Sequence, residues 1–383
     1  MLLYLSSAIK AESYNEFLKS GLVKAGLQAQ RFNSLVIDGL ASDNEIIAIG
    51  FPPYLKGKEQ VPDFADYVPG VEFCTIGNIN QSRLAHFFKM LRYCKRYIHN
   101  NHIEAIICDA ISPIYSLLSI LLSKLHRIPS IAIVTDIPVI MQAGNKSIIT
   151  RFSQYLITKH DGYVLLTAPM NKLVNPKCKP FIIMEGLCDA QSSIEGRHNK
   201  PLDKTVILYT GSLSFNTGIK NLVEAFKMIN RDNIELWIYG GGPAEGFIID
   251  QSKRYPFIKY GGVVSNAEAA SLQRKASVLI NPRPTDISYA EYSFPSKIME
   301  YMSSGTPVLT TRLAGIPGEY FDYVYSINDD SVEGIYESLS FVLNLEEDQR
   351  REMGKRARSF VLTNKNNRKQ GERIIDLINQ IKR

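Results

Sequence analysis

Short runs of apolar and β-branched residues alternate with segments of helical periodicity along most of the chain. Runs such as SIAIV are apolar at almost every position, which is typical of strands buried on both faces of a sheet. The predicted strands span residues 2–5, 45–49, 105–107, 130–134, 163–166, 206–209, 235–239, 258–260, 278–280 and 307–310. The predicted helices include residues 15–25, 81–99, 113–125 (apolar enough to predict a buried helix), 219–230 and 267–275. Strands and helices in this order predict parallel, doubly wound sheets.

The alternation is interrupted by one polar stretch, DAQSSIEGRHNKPLD, at residues 189–203. A chain of 383 residues exceeds the size at which a single hydrophobic core stops growing, so two domains are expected. The fold class is therefore α/β, with two Rossmann-like doubly wound domains that face a central cleft. The predicted parts are a first domain over residues 1–188, a linker over 189–203, a second domain over 204–345 and C-terminal helices over 346–383, which could cross back to the first domain.

Charge and cysteine content limit the classes of protein to consider. The net charge of +6 is a mild excess, which fits an anionic ligand or an anionic membrane surface and gives no support for nucleic-acid binding. Five cysteines without C-x-x-C spacing indicate reduced thiols. The first residues lack the basic segment of a secretion signal, and no run reaches the roughly 18 apolar residues of a membrane-spanning helix. We therefore expect a cytoplasmic protein, with the inner face of the cytoplasmic membrane as an open alternative.

Two glycine-containing segments follow predicted strands of the second half. In the first, TGSLSFNTG leads from a strand into a helix, so that Gly211 and Ser212 lie close to a helix start, with Lys220 in its first turn. Backbone N–H groups and a helix N-terminus favour phosphate, although a tight turn with a solvated lysine fits the same residues. In the second, GGGPAEG contains Gly242 but departs from the dinucleotide fingerprint, so that NAD binding is poorly supported.

The segment FPSKIMEYMSSGTP contains the densest set of candidate binding residues. Ser296 is predicted to cap a short helix that runs to Ser303, with Gly305 just past its end. Lys297 and Glu300 are three residues apart and therefore share a helix face. One interpretation places a diphosphate at the helix start and a ribose on Glu300. The other is a surface Lys–Glu pair on an ordinary helix.

Four segments of the second half together resemble the retaining GT-B glycosyltransferases of the group 1 family, which build bacterial polysaccharides and lipopolysaccharides. They are YTGSLSFNTGIKNLVEAF, ELWIYGGGP, IKYGGVVSNAEAASLQRKASVLINPR and FPSKIMEYMSSGTPVLTT, and they cover most of residues 206–311. The Phe-Pro-Ser-Lys sequence resembles one branch of the family. The first half is similar only in its alternation of strands and helices and in the short sequence VTDIP. The resemblance implies a GT-B fold and a sugar nucleotide as co-substrate.

By this resemblance, Glu300 corresponds to the ribose-binding second glutamate of the family's Glu-x7-Glu motif. The first glutamate falls on Tyr292, with Glu291 one residue earlier, so either Glu291 or the local backbone takes over its role. Ser212 and Thr217 stand where the family usually has an arginine and a lysine.

Positive charge must then come from other residues, and Lys220, Arg283 and Lys297 are the candidates. Val263 and Val264 resemble the loop whose backbone reads the base. Thr135 or Asp136 stands where the family often has a histidine that helps to hold the donor sugar, and Asp136 could equally cap the edge of the core.

The predicted site is assembled from these assignments. The residues predicted to bind the sugar nucleotide are Gly211, Ser212, Lys220, Gly242, Val263, Val264, Arg283, Phe294, Pro295, Ser296, Lys297 and Glu300. The residues predicted to act in catalysis are Lys297, Glu291 and Asp136. The expected donor is a UDP- or GDP-sugar and the expected acceptor is a glycan or a lipid-linked sugar. No other cofactor is expected.

A metal site is not expected, because no Asp-x-Asp motif is suitably placed, and Asn328, Asp329 and Asp330 read as helix capping. Cationic side chains and helix N-termini would then stabilise the departing diphosphate.

The segment between Arg83 and Arg127 is basic and aromatic. It carries seven basic residues against Glu104 and Asp109, and the aromatic residues Phe87, Phe88 and Tyr93 lie among the basic ones. Such a helix can lie on an anionic bilayer, or it can be an ordinary amphipathic helix with a solvated basic face.

Three other functions remain open: a sugar-nucleotide epimerase or hydrolase with the same fold, a non-catalytic partner subunit that has kept the fold, and a nucleic-acid- or membrane-binding scaffold suggested only by the net charge.

Overall fold

The chain folds into two compact units. In the computed structural model the described residues are 1–22, 28–52, 61–77, 83–141, 147–191, 204–229, 231–286 and 289–383. The first unit consists of Met1–Leu187 together with Asn366–Arg383, and the second consists of Cys188–Lys365. Most of the predicted linker, residues 192–203, lies outside the described residues, as does the end of the helix predicted over residues 15–25.

The first unit is built on an eight-stranded sheet with the order β3-β4-β2-β1-β5-β6-β7-β8. The paired strands run parallel except for β3 and β4, which form an antiparallel pair. The strands are β1 (Leu2–Leu5), β2 (Ile46–Gly50), β3 (Phe64–Val68), β4 (Val71–Thr75), β5 (Ala105–Asp109), β6 (Ser130–Val134), β7 (Gly162–Leu165) and β8 (Phe181–Ile183). The first helices are α1 (Ala11–Lys19), α2 (Gln28–Leu40), α3 (Arg83–Asn100), α4 (Pro113–His126), α5 (Pro138–Met141), α6 (Ile148–Ile157) and α7 (Ala168–Val174).

The second unit is built on a six-stranded parallel sheet with the order β11-β10-β9-β12-β13-β14. Its strands are β9 (Thr205–Thr210), β10 (Ile234–Tyr239), β11 (Ile258–Tyr260), β12 (Val278–Asn281), β13 (Val308–Thr311) and β14 (Tyr325–Ile327). Its helices are α8 (Ile219–Lys227), α9 (Glu245–Arg254), α10 (Asn266–Lys275), α11 (Lys297–Ser304), α12 (Val332–Asn344) and α13 (Glu347–Asn364). The predicted fold class, two Rossmann-like α/β domains, is confirmed.

The last helix, α14 (Asn367–Lys382), returns to the first unit. Asn366 caps it by accepting a hydrogen bond from the Lys369 amide at 2.8 Å. Its apolar face, with Ile374, Leu377 and Ile378, is buried in the core of the first unit. The sequence alone indicates a charged tail, because the apolar stripe of this helix is narrow.

The predicted strands all appear, with bounds that differ by a residue or two. The alternation of apolar runs and helical segments in the sequence does not predict β3, β4, β8 or β14. Strands β3, β8 and β14 lie at sheet edges, and β8 and β14 have only three residues each. An edge strand is less buried than a central one, so its apolar signal is weaker. In β3 the burial alternates along the strand, which leaves every second residue exposed.

Helix α4 corrects the prediction of a buried helix over residues 113–125. It buries Tyr115, Leu118 and Leu122, but Leu121 and Leu125 are exposed. Within the described residues, none of the helices is long and apolar enough to span a bilayer.

Candidate sugar-nucleotide site

The loops that follow β9, β10 and β11 meet at the carboxyl edge of the second sheet. The Gly240 amide donates to the Gly262 carbonyl at 2.8 Å, and the Leu213 amide donates to the Gly241 carbonyl at 3.0 Å. A Cβ atom at position 241 would lie 3.0 Å from a methyl group of Val263, whose side chain is exposed. Gly242 and Val264 belong to the same pair of loops. Ligands of doubly wound sheets bind at this edge, where the strand order reverses, here between β9 and β12.

The loop after β9 differs from the predicted direct turn into a helix. A short 3₁₀ helix, Phe215–Thr217, lies between the loop and α8. The Gly211 amide donates to the Tyr239 carbonyl at 3.0 Å, so it is used within the fold, as is the Leu213 amide. Ser212 is exposed, and its own carbonyl accepts from the Tyr209 hydroxyl at 2.7 Å. Among the described residues no partner is present for the Ser212 amide, so this N–H group remains for a ligand.

Lys297 lies over the loop that begins at Gly211. Its ammonium nitrogen is 4.1 Å from the centroid of the Tyr209 ring, a cation–π contact. A Cβ atom at position 211 would lie 2.7 Å from the same nitrogen, and the φ angle of +142° there also disfavours a side chain. Glycine at position 211 therefore makes room for the lysine.

Lys297 stays protonated although its side chain is partly buried. Burial and the neighbouring Arg283 act to lower the pKa of Lys297, but Tyr209 and Tyr301 outweigh them and the pKa is raised above its usual 10.5. The ammonium group is therefore charged at neutral pH. In the part of the chain that the structure describes, Lys297 forms no ion pair.

Arg283 supplies a second cation beside Lys297. It follows β12, its guanidinium carbon lies 5.3 Å from the Tyr289 ring centroid, and its side chain is half-buried. Like Lys297, it has no carboxylate partner within the described ranges. Lys220 is exposed in the first turn of α8, on the neighbouring part of the same edge. Two partly buried like charges without a counter-ion favour an anion.

Helix α11 begins at Lys297 and ends at Ser304, with Gly305 in the left-handed conformation as predicted for its end. Ser296 precedes it, but its side chain makes no capping hydrogen bond and its backbone is helical (φ −51°, ψ −31°), so the predicted capping role is wrong. The turn is held instead by the Pro295 carbonyl, which accepts from the Ile298 amide at 2.9 Å. The exposed Ser296 hydroxyl is therefore not used as a cap. Glu300 is half-buried one turn along the same helix.

Phe294 is part of the core and not of an open surface. Its ring is buried and lies 5.3 Å from the Tyr320 ring, measured between centroids. Pro295 is buried beside it. Neither side chain is therefore open to a ligand.

Glu291 lies on a short 3₁₀ helix, Ala290–Tyr292, where it is exposed. Its carboxylate raises the pKa of the adjacent Tyr292. Tyr292 and Glu300, at the two glutamate positions of the motif, are both half-buried, and Glu291 places an exposed carboxylate one residue before Tyr292.

Asp136 belongs to the first unit, just beyond the carboxyl end of β6. It is half-buried. Burial, and to a smaller extent repulsion from Asp109, raises the pKa of Asp136 to about 6. Asp109 ends the neighbouring strand β5 and accepts hydrogen bonds from the Ile111 amide at 3.3 Å and from Asn33 at 3.4 Å. Burial raises the pKa of Asp109 as well.

Sequence reasoning missed Tyr209, Tyr301 and Asp109. The Tyr301 hydroxyl accepts from the Thr210 amide at 2.9 Å, which joins α11 to the end of β9 beneath Lys297. Tyr301 follows the predicted site residue Glu300, and Tyr209 lies two residues before Gly211. Their apolar neighbours make both indistinguishable from core tyrosines.

Groups of three or more potential metal ligands are absent from the described residues. Helix α12 is capped by Ser331, whose hydroxyl accepts from the Gly334 amide at 3.1 Å. Asp329 accepts from Ser331 at 2.9 Å and so supports the cap, whereas Asp330 accepts from the Thr285 hydroxyl at 2.6 Å.

The family model for glycosyl transferases group 1 matches residues 191–360 of the chain. This range contains all the residues predicted to bind the donor. No curated protein sequence matches the chain significantly.

The whole chain is similar in structure to solved glycosyltransferases of the GT-B type. Sucrose-phosphate synthase from Thermosynechococcus elongatus is 14% identical with a TM-score of 0.70, and the match covers 99% of this chain and 98% of that one. A UDP-forming α,α-trehalose-phosphate synthase from Burkholderia xenovorans is 13% identical with a TM-score of 0.69, covering 98% and 99%. HepE from Anabaena, solved with UDP, is 12% identical with a TM-score of 0.68, covering 99% and 100%.

These likenesses establish the fold over both units, and the family match establishes the class of the second unit. The chain has the two-domain fold of the GT-B glycosyltransferases, and its second unit matches the family model for glycosyl transferases group 1.

Proposed function

We propose that the chain transfers a sugar from a UDP- or GDP-sugar to a glycan or lipid-linked acceptor in cell-surface polysaccharide biosynthesis, with retention at the anomeric carbon. The observation that carries the proposal is the pair of cations, Lys297 and Arg283, beside the loop that begins at Gly211. A diphosphate between them and the Ser212 amide would neutralise both charges.

Transfer breaks the bond between the anomeric carbon and the β-phosphate oxygen, and the bonding electrons leave with the diphosphate. Negative charge therefore grows on that phosphate while the sugar becomes oxocarbenium-like. Donors and cations that are already in place stabilise this charge without reorganisation. Lys297 and Arg283 are proposed to fill this role, and the acceptor hydroxyl passes its proton to the departing phosphate oxygen as its own oxygen bonds to the anomeric carbon. Glu300 is proposed to hold the ribose and Glu291 the donor sugar.

UDP is the favoured nucleotide. Both the trehalose-phosphate synthase, described as UDP-forming, and HepE, solved with UDP, share the fold of this chain. The loop with the exposed Val263 and the half-buried Val264 is proposed to contact the base.

The acceptor is proposed to bind the first unit. Asp109 and Asp136 lie at the ends of adjacent strands, where carboxylates can accept hydrogen bonds from sugar hydroxyls. An acceptor carried by a lipid would place the enzyme at the inner face of the cytoplasmic membrane.

The nucleotide is tested by thermal unfolding with UDP, GDP, ADP and dTDP, because a ligand that binds the folded state raises the melting temperature. We expect UDP or GDP to stabilise the protein and Glu300→Ala to weaken that binding about 10- to 150-fold, since a charged hydrogen bond contributes roughly 1.5–3 kcal/mol. The control is Glu337→Ala, an exposed glutamate on α12. Unchanged affinity in Glu300→Ala would remove Glu300 from the ribose site.

Turnover separates transfer from related reactions. We expect nucleotide release from the UDP- or GDP-sugar to depend on an added acceptor and to continue in EDTA. Acceptor-independent release would instead indicate a hydrolase or epimerase, and loss in EDTA with recovery on adding Mn²⁺ would show that the cationic side chains are insufficient.

A further inference from the structure

Helix α6 in the first unit exposes several large apolar side chains and buries two polar ones. It buries Thr150 and Ser153 against the protein together with Leu156 and Ile157. Its outward face carries Ile148, Ile149, Phe152 and Tyr155, of which Ile148 and Ile149 are 87% and 70% exposed. A water-facing helix normally has the opposite arrangement, with its polar groups outward.

The exposed apolar residues continue onto α4, which packs against α6. Leu121 and Leu125 are four residues apart, so they lie on one face of α4, and both are exposed. We call these six residues the α4–α6 surface: Leu121, Leu125, Ile148, Ile149, Phe152 and Tyr155. They make up a large share of the exposed large apolar side chains in the described part of the chain. Concentrated apolar exposure marks a binding surface and not the usual scatter of single residues.

The charged side chains of α4 and α6 have one sign. Residues 113–127 and 147–159 contain no aspartate or glutamate. They contain Lys124, Arg127, Arg151 and Lys159, none of which has an acidic partner among the described residues. Arg151 is three residues from Ile148 and four from Tyr155, and the Lys159 ammonium lies 4.1 Å from the Tyr155 ring centroid. The cations therefore border the apolar stripe.

We propose that the α4–α6 surface docks on an anionic lipid bilayer. Isoleucine, leucine and phenylalanine would enter the acyl boundary, Tyr155 would stay at the headgroup level, and the four cations would meet anionic headgroups. A second copy of the chain is a less suitable occupant, because it would bring the same four cations into contact with themselves. The proposal rests on the proposed function only in that a lipid-linked acceptor gives the enzyme a reason to be at a membrane.

This surface differs from the one that the sequence indicated. On α3, Lys89 forms an ion pair with Asp63 at 2.6 Å, and the Tyr93 hydroxyl donates to the same carboxylate. Phe87 and Leu91 are half-buried, which leaves Leu84 and Phe88 as the exposed large apolar residues among the described side chains of that helix. Part of the basic and aromatic character of α3 is thus used within the first unit.

The test is flotation of the full chain with vesicles of phosphatidylcholine alone or mixed with phosphatidylglycerol. We expect recovery with the anionic vesicles only, decreasing as salt is raised. The double variant Ile148→Ser/Ile149→Ser should bind at least tenfold more weakly, which corresponds to ~1.4 kcal/mol, with an unchanged melting temperature because both side chains are exposed. Lys124→Gln/Arg151→Gln should lose the preference for phosphatidylglycerol.

Two control variants test whether vesicle binding is specific to the α4–α6 surface. Phe341→Ser removes an exposed aromatic residue on α12 of the second unit, and Leu84→Ser/Phe88→Ser removes the exposed pair on α3. Neither should change flotation. Failure of the wild-type chain to float, equal recovery with both vesicle types, or loss in the α3 variant with retention in the α6 variant would each overturn the proposal. UDP or GDP stabilisation measured without vesicles reports on the sugar-nucleotide site alone, so the two proposals fail separately.

Discussion

Lys297 stands at a position that helix energetics disfavour. A cation in the first turn opposes the positive end of the helix dipole. Its ammonium group is nevertheless held over Tyr209, near Arg283, with glycine at position 211 to leave space. A residue kept at such a cost to the free protein is expected to contribute when an anion is bound.

Lys297→Met tests this role. Methionine keeps most of the side-chain volume and removes the charge, so repulsion from Arg283 is relieved while the cation–π contact is lost. We expect a melting temperature within a few degrees of the wild type and turnover reduced at least tenfold, or about 1.4 kcal/mol of transition-state stabilisation.

Lys275→Met is the matched control, since Lys275 is exposed at the end of α10. It should change neither quantity. Unfolding of Lys297→Met at lower temperature with full turnover would show that the lysine is structural.

Asp136 makes the stability of the first unit depend on pH. Its folded pKa, about 6, exceeds the ordinary 3.8, so folding favours the protonated acid. The stabilisation is complete below pH ~4 and is lost as the pH rises through ~6. Asp136→Asn should therefore raise the melting temperature at pH 7.5 and leave it unchanged at pH 4. The effect should be at most ~3 kcal/mol in the free energy of unfolding.

Asp43→Asn, at an exposed loop position, serves as the comparison in the same thermal scans. If the melting temperatures of Asp136→Asn and the wild type run parallel over this pH range, burial of Asp136 does not perturb its titration.

At the scale of elements, α14 completes the core of the first unit by close contact with α2. A Cβ atom at Gly371 would lie 2.6 Å from the Gly39 carbonyl carbon, so backbone touches backbone where the helices cross. This spacing brings Ile374 and Leu377 into the core. The helix is held by packing and not by its own propensity.

Gly371→Ala is expected to lower the free energy of unfolding by about 1–3 kcal/mol, because the methyl group has no room. Gly246→Ala provides the contrast, since nothing lies within 4 Å of the added Cβ on α9, and helix propensity should leave stability equal or slightly higher. Both are measured by chemical denaturation. Equal effects of the two substitutions would mean that α2 and α14 can move apart without lowering the free energy of unfolding.

At the scale of the whole molecule, local sequence was sufficient for the central strands other than β4 and for the order of the loops at the second sheet's carboxyl edge. Buried parallel strands are apolar throughout, and glycines mark the turns that follow them, so both leave a signal within a few residues. For the same reason Gly211, Lys297 and Glu300 could be named as candidates, although no local pattern shows that Lys297 and Arg283 are neighbours.

Tertiary structure alone decided three features. It brought α14 back to the first unit, because a narrow apolar stripe does not specify the surface it packs on. It put Phe294 in the core, because the packing partner Tyr320 belongs to a distant segment of the chain. The same loop gives Ser296 a helical backbone and no capping hydrogen bond. It turned the apolar side of α6 outward and left Leu121 and Leu125 exposed. Periodicity shows that a helix has two faces, but only the positions of the neighbouring elements determine which face is buried.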